Sequence, residues 1–261
     1  LEILIAFYHG KGYILHSLTS GNPFRFADNA KQLDMTIAKN IERVRLEIAA
    51  ACERSNRMSA DVQVVAVSKT VAVPKIIEAI AAGVTIIGEN RVQEAVEKSR
   101  SIHEPVSWHL IGHLQTNKVR RALEFAAVIE TLDSLRLAAA IQQQAELLDR
   151  TIDVFVQVNT SGEETKFGLA PDQVGEFIGR LTAFDRVRVI GLMTIAQLVG
   201  DAEKARPSFQ LLRKLRDSIN SQRGNKSQIP FLSMGMTNDY TVAVEEGATH
   251  VRIGRAIFGE R

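Results

Sequence analysis

A single cysteine, Cys52, stands in the 261 residues. It cannot close an internal disulfide, so a small secreted domain stapled by crosslinks is excluded, and a reducing, cytoplasmic setting is the simplest fit. Also missing is any run of about 20 uninterrupted apolar residues, the length a membrane-spanning helix needs. The first residues are apolar in places, but they carry Glu2 and are broken at His9-Gly10-Lys11-Gly12. Without a basic start, a continuous apolar stretch or a small-residue cleavage site, they make a poor secretory leader. Charge of one sign is absent too. Lys and Arg number 32 against 30 Asp and Glu, a formal net charge of +2, which offers no basic surface for a nucleic-acid backbone. Lys118, Arg120 and Arg121 read as a solvated helix face. His109 and His113 have metal-pair spacing only if helical, and Gly112 stands between them with no cysteine or carboxylate cluster to complete a site, so no metal is expected.

What the chain does have is a 45% hydrophobic composition, enough for a full core, arranged periodically from residue 35 onward. Residues 1–34 show no sustained period and contain Gly10, Gly12, Gly21 and Pro23; they read as an N-terminal extension, with 35–261 as the functional domain. Just after Met35, Ile37, Ile41, Val44, Ile48 and Cys52 recur at three- and four-residue steps and give one apolar stripe, predicting a helix with Cys52 in its buried face. Apolar strand candidates follow at 62–67, 84–87, 106–111, 127–131, 152–158, 187–192, 229–233 and 249–253. Helical patterns lie between them at 73–82, 89–100, 115–124, 133–149, 171–182, 203–221 and 238–246. Gly83 and Gly247 fit helix C-terminal stops, and Asp133 and Asp172 fit helix starts. This alternation predicts an α/β fold, a single (β/α)8 barrel with an additional N-terminal helix, in preference to an open doubly wound sheet.

In such barrels the chemistry collects at the C-terminal ends of the strands. The first strand ends in Val67-Ser68-Lys69-Thr70, and a lysine there, if desolvated, becomes an amine able to form an imine with an aldehyde. The bland alternative is a solvated strand-end lysine. The seventh strand ends in Ser233-Met234-Gly235-Met236-Thr237 and the eighth in Arg252-Ile253-Gly254-Arg255, where barrels often hold phosphate on backbone N–H groups. Gly235 and Gly254 permit close backbone approach, and Ser233 and Thr237 offer hydroxyls, although small residues also serve ordinary turns. A lysine at the first strand and an anion site at the last two suggest a phosphate-bearing aldehyde. Pyridoxal 5′-phosphate and the sugar phosphates of Schiff-base aldolases both fit.

The segments VAVSKT (65–70), IGENRVQE (87–94), WHLIGHLQTNK (108–118), VQVNTSGEETKFG (156–168), GLMTIA (191–196), FLSMGMTNDY (231–240) and THVRIGRAIFG (249–259) resemble the pyridoxal phosphate homeostasis protein family, in order and across nearly all of 35–261. The resemblance implies a barrel of the alanine-racemase N-terminal type, with pyridoxal 5′-phosphate held as an imine on Lys69. It implies Asn90 near the ring hydroxyl or imine, Ser233, Thr237 and the backbone of Gly254 and Arg255 on the phosphate, and Arg252 facing the pyridine nitrogen. An arginine stays protonated, so that nitrogen must accept and the ring becomes a weaker electron sink. The implied function is non-catalytic: carrying and buffering the cofactor, with apoenzymes that use it as acceptors, and with a monomer as the family-style expectation. The alternative is an amino-acid racemase-like enzyme, but racemisation wants an acid/base on each face of the α-carbon. The closing β-domain of the racemases is not expected here, since Arg261 follows the eighth strand so closely. His109 reads as a pocket-mouth residue or a hydrogen-bonded structural one. Tyr240 reads as a phosphate neighbour or a packed side chain, Glu163, Glu164 and Lys166 as a solvated loop or a closing one, and Met193, Met234 and Met236 as pocket wall.

Overall fold

The computed structural model describes residues 5–8, 13–16, 24–163, 166–197, 200–223 and 228–259, with side chains from Ile37 onward except Arg223. Two short strands, β1 (Ile5–Tyr8) and β2 (Tyr13–His16), pair antiparallel with each other. Helix α1 (Phe24–Arg54) then begins well before Met35, where its apolar stripe starts. The extra turns rest on local propensity: nothing from Phe24 to Arg54 is glycine or proline. The stripe itself is buried as expected: Ile37, Ile41, Val44, Ile48 and Cys52 are all at most 4% exposed. Each aliphatic side chain removed from water in this way contributes about 2 kcal/mol. Burial pushes the Cys52 thiol pKa up, despite the pull of Arg57.

Eight parallel strands close a barrel in the order β10-β3-β4-β5-β6-β7-β8-β9. They are β3 (Gln63–Val67), β4 (Ile86–Glu89), β5 (Ser107–Leu110), β6 (Val128–Leu132), β7 (Ile152–Gln157), β8 (Val187–Met193), β9 (Phe231–Met236) and β10 (His250–Ile253). Between them run α2 (Val73–Ala81), α3 (Val92–Ser101), α4 (Val119–Ala122), α5 (Leu135–Leu147), α6 (Val174–Leu181), α7 (Arg206–Arg223) and α8 (Tyr240–Glu245), with α9 (Arg255–Phe258) last. Helix α1 packs on α2, α8 and α9. Asn40 Nδ2 donates to the Ile257 carbonyl at 3.0 Å, and Arg57 Nη1 and Nη2 donate to the carbonyls of Val244 and Ala248 at 2.6 and 2.8 Å.

Three boundaries differ from the apolar pattern. Strand β4 continues through Gly88 and Glu89, which pair with His109 and Leu110, so α3 starts three residues later than the pattern suggested. β9 starts after Pro230, which has no N–H to give a ladder, and extends to Met236. The span 115–124 yields only a 3-10 turn at Thr116–Lys118 and the single turn of α4. Gly83 and Gly247 stop α2 and α8 at φ +89° and +98°.

Candidate functional site

The site is organised by the alternation along each strand. In β3, Val65 and Val67 join Ile86 and Ile111 in an apolar cluster separate from the main core, while Ala66 and Ser68 face the outer layer. Lys69, two residues past the end of β3, therefore turns back to the inner side. A cavity of about 560 Å³ opens there, at the C-terminal ends of the strands. Its wall includes Val67 and Ile111, and its polar side chains include those of Lys69, Asn90, Thr237, Asp239, Arg252 and Arg255. Such a volume suits a small organic molecule. A smaller cavity, about 310 Å³, lies under α1 against the start of β3 and gathers no comparable set of polar side chains.

Six of the seven sequence-predicted residues, Lys69, Asn90, Thr237, Arg252, Gly254 and Arg255, border this one space. Ser233 does not: it is fully buried beneath it. Lys69 is exposed at the rim, so the desolvation expected of it is not provided by the protein around it. Arg252, by contrast, is 4% exposed, with both terminal nitrogens anchored. Nη1 donates to Ser233 Oγ and Nη2 to the Thr194 carbonyl, each at 2.7 Å. Ser233 Oγ in turn donates to Glu130 Oε2 at 2.5 Å, and His109 Nδ1 lies 2.7 Å from Glu130 Oε1. Strands β6 and β9 are not neighbours in the ring, so the Ser233–Glu130 bond crosses the barrel interior. Burial pushes the Glu130 carboxyl up, but the His109 hydrogen bond and charge, with Arg252 and His250, outweigh it and hold the carboxyl at about 2. His250 stacks on His109 with centroids 6.0 Å apart; burial chiefly, then His109 and Arg252, lower it to about 4 against the pull of Glu130, leaving it neutral.

A second polar group fixes the backbone on both sides of Lys69. Lys98 Nζ, from α3, donates to the Ser68 carbonyl at 2.6 Å and to Glu89 Oε1 and Glu94 Oε1 at 2.7 Å. Ser68 Oγ donates to Glu89 Oε1 at 2.6 Å, and the Thr70 N–H donates to Glu94 Oε1 at 2.5 Å. Thr70 sits at φ +62°, a left-handed conformation unusual for a non-glycine residue, and these bonds hold it there. Asn90 is set by a close approach: a Cβ on Gly112 would lie 2.2 Å from the Asn90 carbonyl oxygen.

On the far side, the turn after β9 is closed by Asp239, whose N–H donates to the Met236 carbonyl at 3.0 Å and whose Oδ1 accepts from the Met236 N–H at 2.5 Å. Gly235, expected to let the backbone approach an anion, instead lets α8 approach β9. It sits at φ +90°, and a Cβ there would lie 2.5 Å from Ala243 Cβ. Gly254 precedes α9, whose first-turn N–H groups lack intrahelical acceptors and face an anion readily.

Several residues are elsewhere. Tyr240 is buried against α1 and donates to Glu47 Oε2, away from the cavity; burial, then Glu47, raises its phenol pKa. His109 lies inside the barrel and not at the mouth, while its neighbour Trp108 faces outward against Phe125. His113 is exposed and stacks on Phe167 at 4.1 Å. Among the described residues no group of three or more His, Cys, Asp or Glu could hold a metal ion. Glu163 pairs with Lys166 at 2.7 Å, and Glu164 lies outside the described residues. Of the methionines, Met236 lines the cavity, whereas Met193 and Met234 are buried in the core. Glu130 and His109 as bonded partners were missed, because only closure of the barrel brings β5, β6, β9 and β10 together.

The chain matches the alanine racemase N-terminal domain family over residues 44–261. A pyridoxal phosphate homeostasis protein of Aquifex aeolicus is 41% identical over 228 residues, 87% of this chain and 99% of that protein. A crystal structure of a protein from Bifidobacterium adolescentis superposes with a TM-score of 0.80 at 36% identity, over 87% of this chain and 96% of the other. PipY of Synechococcus elongatus PCC7942, solved with PLP bound, superposes with a TM-score of 0.75 at 33% identity, over 85% of this chain and all of PipY.

Proposed function

Since the chain belongs to the family of pyridoxal phosphate homeostasis proteins, built on the alanine racemase N-terminal barrel, we propose that it binds pyridoxal 5′-phosphate in the 560 Å³ cavity and buffers it without turning it over. The observation that carries this reading is the convergence on one cavity of an accessible primary amine, Lys69, a buried guanidinium, Arg252, and the open first turn of α9. The donor set fits the cofactor group by group. When bound, pyridoxal 5′-phosphate supplies an aldehyde carbon that a primary amine holds reversibly as a Schiff base.

Lys69 is the tether. Thr237 and the N–H groups at Gly254 and Arg255 take the phosphate, with the exposed Arg255 side chain adding positive charge at the rim. Asn90 serves the ring hydroxyl. Arg252, protonated and acting only as a donor, faces the ring nitrogen and keeps a proton off it, which withholds the electron sink that racemisation needs. Two-base racemisation also wants a second proton carrier. Among the described residues of the cavity wall, the one carboxylate is Asp239, and its Oδ1 is engaged by the Met236 N–H. Exposure of Lys69 suits hand-over to another amine. We take apoenzymes that use the cofactor as the acceptors, a monomer in a reducing cytoplasm as the working form, and 35–261 as the functional unit, with 1–34 as an extension.

The test is a visible spectrum of the purified chain with added pyridoxal 5′-phosphate, before and after borohydride, followed by peptide mapping. A visible band that borohydride abolishes, with the reduced adduct on Lys69 and no racemase or transaminase turnover, is the expected result. No band and no adduct, or an adduct that persists in Lys69→Ala, overturns it.

A further inference from the structure

We propose that Glu130 and Ser233 are positioning residues that set the orientation of the Arg252 guanidinium before any ligand arrives. The donor and acceptor inventory forces the polarity of the chain. An ionised carboxylate only accepts, so Glu130 takes the one hydrogen that Ser233 Oγ possesses. With that hydrogen spent, Ser233 Oγ must accept, and it accepts from Arg252 Nη1 at 2.7 Å. The Thr194 carbonyl, also an obligate acceptor, holds Nη2 at 2.7 Å. Both ends of the guanidinium are therefore pinned, while each terminal nitrogen keeps a second N–H for the cavity that Arg252 lines.

The charge also needs company. Arg252 and Glu130 are 4% and 0% exposed, and Arg252 Nη1 lies 4.0 Å from Glu130 Oε2, so each carries a buried charge that the other offsets. His109 completes the carboxylate from its other side through Oε1. Ser233, which the family resemblance put on the phosphate, thereby has both its hydrogen and a lone pair committed to this relay. That the oriented guanidinium serves pyridoxal 5′-phosphate rests on the function proposed above.

The experiment uses the full chain as wild type, Ser233→Ala and Glu130→Gln, read first without cofactor. Arginine side-chain ¹⁵N NMR, with the Arg252 signals assigned by their absence in Arg252→Lys, reports exchange of its guanidinium hydrogens with water. Exchange about tenfold faster in both variants is expected, from the loss of a hydrogen bond to a charged group. Binding of pyridoxal 5′-phosphate should weaken about tenfold in Ser233→Ala, and the pH midpoint of its visible band should move. If one variant does not fold, the other carries the test. Unchanged exchange overturns the proposal whatever the cofactor does. Faster exchange with unchanged affinity and unchanged pH midpoint overturns the link to the cofactor. Faster exchange in the variants, with a wild type that binds no pyridoxal 5′-phosphate, supports the positioning role and overturns the function proposed above.

Discussion

Two polar clusters are built into this barrel, one outside its wall under α3 and one across its lumen, and they organise charge in opposite ways. The outer cluster crowds two carboxylates, Glu89 and Glu94, onto one ammonium, Lys98. Burial raises Glu89 despite its bonds from Lys98 and Ser68, and its Oε2 has no hydrogen-bond partner among the described residues. Burial also pushes Glu94 up, but Lys98 and the Thr70 N–H outweigh it and leave it low. What this cluster holds is backbone: the Ser68 carbonyl and the Thr70 N–H, the two neighbours of Lys69. The lumen cluster is a chain in which each donor has one acceptor, and what it holds is a side chain, Arg252. On the function proposed above, an amine that takes up a ligand and lets it go needs a fixed root and a free tip, and a guanidinium that faces a ring must be fixed at the tip.

Breaking the outer cluster should cost most. Lys98→Met leaves Glu89 buried without its counter-charge and releases the Ser68 carbonyl, and a loss of about 3–5 kcal/mol is expected in urea unfolding. A loss below about 1 kcal/mol would make the cluster a surface-like ornament.

Acid should separate the two clusters next. His250 has its folded value lowered from 6.5 to about 4, so the unfolded chain takes up its proton first. The stability it contributes is complete above about pH 6.5 and is lost as pH falls toward 4, about 3 kcal/mol in all. Glu130, held at about 2, extends the loss below its ordinary value of 4.5. In the outer cluster the two carboxylates oppose each other: the raised Glu89 contributes stability at low pH that is lost as pH rises through its folded value, and the lowered Glu94 contributes the reverse. Urea midpoints measured from pH 7.5 to 4 should therefore slope steeply in wild type and markedly less in His250→Asn. Equal slopes would remove the lumen as the acid-sensitive region.

An exposed ion pair sets the baseline for both. Arg100 and Glu124, at 2.9 Å with side chains 70% and 43% exposed, should give less than about 1 kcal/mol when Arg100→Gln is unfolded in urea. A larger value would show that the contrast between buried and exposed charge has been overdrawn.

Much of the site was legible because it follows from position along a strand. Lys69, Arg252 and Gly254 sit at barrel strand ends that a period of two and a count of eight identify without coordinates. Ser233, expected on the phosphate, is buried and does not line the cavity, for a related reason. It stands within β9, four residues before Thr237, which follows the strand end, and period two says only that Ser233 faces inward, not how deep it lies. Gly235 was correctly marked as a close approach, yet which neighbour approaches depends on where α8 packs. Glu130 carried no signal at all: an acid inside an apolar strand, Val128-Ile129-Glu130-Thr131-Leu132, looks like an interruption until a partner from across the ring is seen.

By itself, then, the sequence determined the alternation of strands and helices, the buried stripe of α1 and the strand ends that border the cavity, because periodicity and strand polarity are local properties of the chain. Only the tertiary structure decided that Lys69 is exposed while Arg252 is buried, and that Glu130, Ser233 and Arg252 form one relay. Those facts depend on closing the barrel, which joins residues more than 100 positions apart and sets how much water each charge keeps.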